Sequence, residues 1–272
     1  MKIAIATIAP DARQKALLKV AWPTWERYAR RHSLEIIVVE RPPRPEHIYW
    51  GKYAYFGLDE FSAVDAIVAV DNDMLFNPNS PLVTDGWDGK RIGMVDERAQ
   101  FGWDEAYVER YYRSYELQPP PPPAGTWAVL NGGLILYTRD HIPFFERTYR
   151  DWNEWRGRAS AEAIQANPFK YTNDQPHLSL AVQIDNQAQI LDPNFNRIWW
   201  SWLGKYGRLP RRAFQFYAKG CSMLGAALPA SFVSPLARPG ARVLERALSE
   251  CHFLHIAGSK SPMWLYAHRR DD

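Results

Sequence analysis

Asp71 and Asp73 stand one residue apart at the end of the apolar run Ile67–Val70, and Asp71-Asn72-Asp73 is the only Asp-x-Asp in the chain. Two carboxylates projecting from a strand end suit a hard divalent cation, which takes oxygen ligands and bridges protein carboxylates to substrate phosphates. The same residues suit an Asx-rich turn ahead of Asn77-Pro78-Asn79. Spacing alone leaves both open. A second chemical cluster lies in "CHFLHIAGSKSPMW". A strand there turns His252 and His255 to opposite faces, so only one of them faces a site. His255 is followed by Gly258 and Lys260, where backbone can approach a phosphate and a cation can pair with it. The alternative for His255 is a hydrogen-bonded core histidine.

Two further stretches carry polar groups in unusual places. "VLNGGLILY" sets Asn131 and two glycines inside an apolar strand. Glycine weakens a strand and often marks the close approach of a ligand or a bulge. Asn131 offers hydroxyl groups both a donor and an acceptor. "YTNDQPHLSLAV" reads as a helix N-terminus capped near Asp174 with Pro176 in the first turn, which leaves Gln175 available to a substrate.

The elements that must position these groups follow from periodicity. Lys2–Ile8, Leu34–Val39 and Ala66–Val70 are continuous apolar runs and read as buried strands, with a fourth at Arg91–Val95. The N-terminal run lacks a signal-peptide cleavage region and is read as the first strand. Helical spacing covers Asp11–Arg31, where Pro23 predicts a kink, and Lys52–Phe61. Pro119–Pro123 is a stiff polyproline segment. Trp127–Tyr137 is strand-like, Ile142–Trp155 and Gln175–Val182 are helical, and Phe253–Ala257 is a last short strand. Strands alternating with helices in the first hundred residues imply a parallel sheet with helices on its faces, whose ligands bind beyond the carboxyl ends of the strands. Thr7 and Asp71 both stand at such ends.

Composition sets the outer bounds. With 46% hydrophobic and 23% charged residues, 272 residues suit one packed α/β domain. Two cysteines, Cys221 and Cys251, are too few for a disulfide framework and fit a reducing cytosol. No segment approaches the ~20 apolar residues that span a bilayer. The net charge of +3 is uneven: residues 197–244 hold eight basic residues and no acidic one, which leaves the remainder with an excess of five negative charges. That basic block is interleaved with Trp199, Trp200, Trp202, Phe214, Phe216 and Tyr217. It suggests an anionic partner, with a solvated loop as the alternative.

In this order the motifs resemble a GT-A glycosyltransferase, most closely the glycogenin-like and lipooligosaccharide galactosyltransferase group of family 8. The resemblance rests on Lys52 before "VDAIVAVDNDMLF", Asp96 in "GMVDE", "LNGGLILY", "NDQPHLSLAV", "LDPNFN" and "HIAGSKSPMW". It covers about residues 2–200 and the last twenty or so. It implies a Rossmann-like mixed sheet with a largely parallel N-terminal half, and a single domain over 1–272 with a basic, aromatic insertion at about 197–244.

The resemblance also implies roles. Thr7 and Ala9 would contact the base, and Lys52 the ribose or diphosphate. Asp71, Asp73 and His255 would hold Mn²⁺, or Mg²⁺, while Gly258 and Lys260 cradle the pyrophosphate. Asp96, Asn131, Asp174 and Gln175 would surround the donor sugar and the acceptor hydroxyl. The implied reaction moves a hexose from a nucleotide sugar, UDP-glucose or UDP-galactose, to a glycan or lipid-linked acceptor with retention of configuration. A cytoplasmic protein is expected, touching an anionic membrane surface through 197–244; nucleic acid is not expected as a partner of the enzyme. Two other readings stay open. One is an inactive transferase scaffold that binds an anionic membrane or nucleic acid. The other is a sugar-1-phosphate nucleotidyltransferase, although "ATIAPDARQK" lacks the glycine-rich loop that such an enzyme needs.

Overall fold

The computed structural model describes the backbone of residues 1–122, 127–204, 208–227, 230–257 and 260–267. It describes side chains in these ranges except at 208–211, 224–227, 230–234 and 260. In chain order the strands are β1 (Ile3–Ile8), β2 (Glu35–Val39), β3 (Ala66–Val70), β4 (Met74–Phe76), β5 (Ile92–Asp96), β6 (Leu130–Thr138), β7 (Ala188–Ile190), β8 (Arg197–Ile198) and β9 (Phe253–His255). The helices are α1 (Ala12–His32), α2 (Ile48–Gly51), α3 (Glu97–Phe101), α4 (Glu105–Ser114), α5 (Ile142–Gly157) and α6 (Ala161–Ala166). They continue with α7 (Pro168–Thr172), α8 (Gln175–Ile184), α9 (Trp199–Gly204), α10 (Arg208–Ala227), α11 (Ala230–Ser249) and α12 (Lys260–Ala267). Two compact units arise from them. The first comprises Met1–Pro10, Glu35–Val70 and Thr84–Pro193; the second comprises Asp11–Leu34, Asp71–Val83 and Asn194–Asp272.

The first unit is built on a six-stranded sheet in the order β2-β1-β3-β6-β5-β7. The pairs β1–β2, β1–β3 and β5–β7 are parallel, and β6 runs antiparallel to both β3 and β5. Alternation along each strand sends Ala4 and Ala6, Ile37 and Val39, Ile67 and Ala69, and Ile135 and Tyr137 into one core. Aromatic side chains fill that core: Trp50, Tyr53, Phe61, Phe145 and Trp152 are each fully buried there. Val108, Tyr112, Trp127, Val129 and Leu180 form a separate cluster.

Periodicity misplaces one element in this unit. Lys52–Phe61 is not a helix: α2 ends at Gly51, and two single 3₁₀ turns, Tyr55–Gly57 and Asp59–Phe61, follow. The apolar residues that imitate a helical face are Tyr53, Tyr55, Phe56 and Phe61, and all of them belong to the core. Packing a run of large rings on several sides outweighs the weak local preference for helix. The glycines in β6 do sit at an irregularity. Its pairing with β5 steps from Met94–Ile135 to Val95–Asn131, which leaves Gly132, Gly133 and Leu134 in a bulge.

The second unit has a three-stranded sheet, β4-β9-β8, with α1 and α9 to α12. Asp11 caps α1 through Gln14 N, and α1 runs on through Pro23. Trp25 of α1 stacks on Phe76, and Phe76 on Phe253. The Trp25 indole N–H donates to the Met74 carbonyl at 2.7 Å, pinning the chain just after Asp73. Gly240 lets α11 pack tightly, since a Cβ there would lie 2.6 Å from Leu265 and 2.7 Å from Tyr217. Cys221 and Cys251 are free and buried. No helix among the described residues is long and apolar enough to cross a membrane.

Candidate active site

Strand register assembles the first cluster, within the second unit. Met74 pairs with His255 across β4–β9, and Ile198 pairs with His255 across β8–β9. The segment Asp71–Met74 closes as a turn, with Met74 N donating to the Asp71 carbonyl, and Ile256 N donates to the Asp73 carbonyl. The Asp-Asn-Asp sequence is therefore a turn, and that turn brings both carboxylates to a histidine. His255 Nε2 lies 3.3 Å from Asp73 Oδ1 and 3.8 Å from Asp71 Oδ2. Adjacent ligands of an octahedral ion, each about 2.1–2.4 Å from it, lie about 3.0–3.4 Å apart; the Asp73 separation falls in that range and the Asp71 separation is wider. The carboxylates are half-buried and the imidazole is buried.

The far side of the imidazole completes the arrangement. His255 Nδ1 lies 2.9 Å from Asn196 Oδ1, and Asn196 is fully buried. An amide oxygen can only accept, so Nδ1 carries a proton, and Nε2 is the ring atom that faces the carboxylates and would be the metal ligand. Two carboxylate oxygens and one imidazole nitrogen are a donor set that could hold a divalent cation. His252 turns elsewhere, against the Phe195 ring.

The second cluster lies in the first unit. The Lys52 ammonium donates to the Gly132 carbonyl at 2.6 Å and stands 3.4 Å from Asp174 Oδ2, with both side chains buried. Tyr53 also donates its hydroxyl to Asp174. Asp174 is the N-cap residue of α8, yet its side chain makes no capping hydrogen bond. Its carboxylate is committed to Lys52 and Tyr53. Gln175 accepts from Gly132 N at 3.2 Å, and its amide lies 3.4 Å from both Glu97 Oε2 and the Tyr111 hydroxyl. Asn131 donates to Glu97 Oε1 and accepts from Gly133 N. Burial first, then the nearby Glu97 carboxylate, push the Tyr111 hydroxyl well above its usual range, so it stays protonated. Gly132 keeps the middle of this network open: a Cβ there would meet Lys52 Nζ at 3.5 Å and Asp174 Oδ2 at 3.6 Å.

The remaining expected residues are placed as follows. Thr7 is buried and its hydroxyl donates to the Val70 carbonyl at 2.8 Å, while Ala9 N donates to the Val39 carbonyl. Asp96 caps α3 through Arg98 N and also accepts from Val129 N. Burial raises its pKa, partly offset by those two backbone donors. Gly258 and the side chain of Lys260 lie outside the described residues; Lys260 is the first residue of α12. Sequence reasoning missed Asn196, Glu97, Tyr53 and Tyr111. Asn196 is the last residue of the "LDPNFN" motif and Glu97 directly follows Asp96, so both were within reach. Tyr53 and Tyr111 reach partners 121 and 64 residues away, which no local pattern records.

No protein-family model matches the chain. No curated protein matches it either. Solved structures do. The chain superposes over 99% of its length on all of a glycosyltransferase involved in glycosylation of the major capsid of PBCV-1, at 11% identity and a TM-score of 0.51. The fold is that of a GT-A glycosyltransferase. It also superposes over 99% of its length on the WbbM bifunctional glycosyltransferase, at 9% identity and a TM-score of 0.51. There it spans half of the larger protein.

Proposed function

We propose that this protein is a metal-dependent glycosyltransferase that moves a hexose from a nucleotide diphosphate sugar, UDP-glucose or UDP-galactose, to an acceptor hydroxyl with retention of configuration. The observation that carries the reading is the Asp71–Asp73–His255 group with Asn196 at His255 Nδ1, in a chain of glycosyltransferase fold. Asp71, Asp73 and His255 would hold Mn²⁺ or Mg²⁺. When bound, the ion neutralises charge on the departing diphosphate. Asn131 and Gln175 offer amide groups to sugar hydroxyls, and Glu97 orients both amides. Lys52 compensates the Asp174 carboxylate and, with Tyr53, fixes its direction. Asp174 then stands as the anionic group that stabilises positive charge developing at the anomeric carbon. By the family resemblance Thr7 and Ala9 would take the base, Lys52 the ribose or diphosphate, Gly258 and Lys260 the pyrophosphate, and Asp96 would lie beside the donor sugar. Retention and the uridine base come from the family resemblance.

The acceptor we propose is a glycan or lipid-linked glycan, met at an anionic membrane surface. One face of α10 supports the membrane contact: Arg212, Phe216, Lys219 and Met223 recur at helical spacing and all are exposed. Phe216 and Met223 are 78% and 65% exposed, so this face pairs apolar side chains with cations. By contrast Trp199 and Trp202 are buried, so part of the aromatic character of 197–244 serves the core.

A thermal-shift screen tests the reading. UDP, UDP-glucose and UDP-galactose should each raise the melting temperature with Mn²⁺ and much less without it. A ligand at 100 times its Kd adds about 2.7 kcal/mol to native stability. No shift with any nucleotide sugar, in either metal condition, would contradict it.

A further inference from the structure

Phe101, Trp103 and Tyr107 form a continuous ring stack in the first unit. The Phe101 and Trp103 centroids lie 4.7 Å apart at 12°, and those of Trp103 and Tyr107 4.6 Å apart at 22°. Phe101 and Trp103 are half-buried and Tyr107 is 39% exposed. The backbone is shaped for this. Gly102 takes a left-handed conformation, φ 64°, where a side chain would be strained, and Trp103 N closes the turn onto the Arg98 carbonyl. Asp104 then caps α4 through Tyr107 N. Trp103 is seated against the Val108–Tyr112–Trp127 cluster, so the stack has a fixed base.

A single exposed tyrosine is ordinary. A tyrosine stacked on a tryptophan, itself stacked on a phenylalanine, is a ring held flat before any ligand arrives, so little entropy is lost on binding. Both helices also tie the stack to the polar cluster. On α3, Phe101 lies one turn from Glu97, and on α4, Tyr107 lies one turn from Tyr111. Glu97 and Tyr111 are the groups that meet Gln175.

We infer that the Phe101–Trp103–Tyr107 stack is a saccharide subsite, which receives a pyranose ring of the acceptor on the outer face of Tyr107. A pyranose has one face of C–H groups, apolar enough to cover an aromatic ring, and a rim of hydroxyls. The Arg110 guanidinium carbon stands over the Tyr107 ring, 5.9 Å from its centre; it must swing aside for the sugar, and from there it can donate to such a rim. The assignment of an acceptor sugar rests on the transferase reading; the binding of a saccharide does not.

Saturation-transfer NMR with methyl glucoside, methyl galactoside, maltose and lactose, in the absence of nucleotide and metal, separates the two. At least one sugar should receive saturation at its ring C–H protons from the wild-type chain. Tyr107→Ala should weaken that binding about tenfold, a loss of about 1.4 kcal/mol. Tyr107→Phe should retain it, as should Phe169→Ala, which removes an exposed ring elsewhere in the unit. A signal from these sugars in a chain that never hydrolyses a nucleotide sugar would uphold the subsite and sink only the transferase reading. Absence of signal for all four sugars, or an equal signal in Tyr107→Ala, would overturn the subsite itself.

Discussion

Replacing Asn196 by Ala perturbs the candidate metal group without touching a ligand. Its carboxamide oxygen lies 2.9 Å from His255 Nδ1, in surroundings where Asn196 is 0% and His255 4% exposed. The substitution leaves a buried N–H without its acceptor, which costs about 1–3 kcal/mol of stability. It also frees the ring to rotate or to take the other tautomer, and either change withdraws Nε2, which lies 3.3 Å from Asp73, as a metal ligand. Loss of such a supporting hydrogen bond weakens metal binding about 10- to 100-fold, or roughly 1.4–2.7 kcal/mol. Paramagnetic resonance of free Mn²⁺ measures the affinity, and urea unfolding measures the stability cost separately. Asn196→Asp keeps an acceptor and should bind Mn²⁺ within a few-fold of wild type. A folded Asn196→Ala protein that binds Mn²⁺ as tightly as wild type would refute the reasoning.

Three more outcomes follow from other parts of the molecule. Gly132→Ala should fold normally, because its Cβ meets nothing closer than 3.5 Å. It should nonetheless cut nucleotide-sugar turnover by about 100-fold, since the methyl stands where a sugar would approach Lys52 and Asp174; unchanged turnover would remove that cluster from the sugar site. His177 is buried against Trp155, neither ring nitrogen has a hydrogen-bond partner among the described residues, and burial lowers its pKa from 6.5 to about 4. Above pH 6.5 both folded and unfolded chains hold it neutral. As the pH falls from 6.5 toward 4 only the unfolded chain takes up the proton, so about 3 kcal/mol of stability should be lost across that window. His177→Phe should abolish that part of the acid sensitivity, and an unaltered pH profile of urea unfolding would count against it. Replacing Arg212 and Lys219 together by Ser should weaken sedimentation with anionic vesicles about thirtyfold, at ~1 kcal/mol per lost charge; no change, or no binding by wild type, ends the membrane reading.

What could be read from the sequence divides by range. The runs Ile3–Ile8 and Ala66–Val70 are buried along nearly their whole length, and a buried parallel strand announces itself as a continuous apolar segment. Asp71, Asp73 and His255 were visible because the cluster uses residue types that a core seldom takes. The antiparallel course of β6 was not visible, because strand direction depends on how the chain returns. The 52–61 segment misled for the opposite reason: its rings are spaced like a helix but are placed by tertiary packing. Asp174 shows the limit most clearly. Its position before Gln175-Pro176 predicts a cap, while its chemistry is set by Lys52 and Tyr53, more than a hundred residues earlier in the chain.

The central claim is that this chain breaks the bond between a hexose and a nucleoside diphosphate with the help of a metal held by Asp71, Asp73 and His255. Release of UDP from UDP-glucose and UDP-galactose, followed in wild type and Asp73→Asn with and without Mn²⁺, tests it most directly. Wild type should release UDP only when Mn²⁺ is present. Asp73→Asn, with an unchanged circular dichroism spectrum, should release none above background. Equal release by Asp73→Asn and wild type, or release that is indifferent to Mn²⁺, would contradict the account.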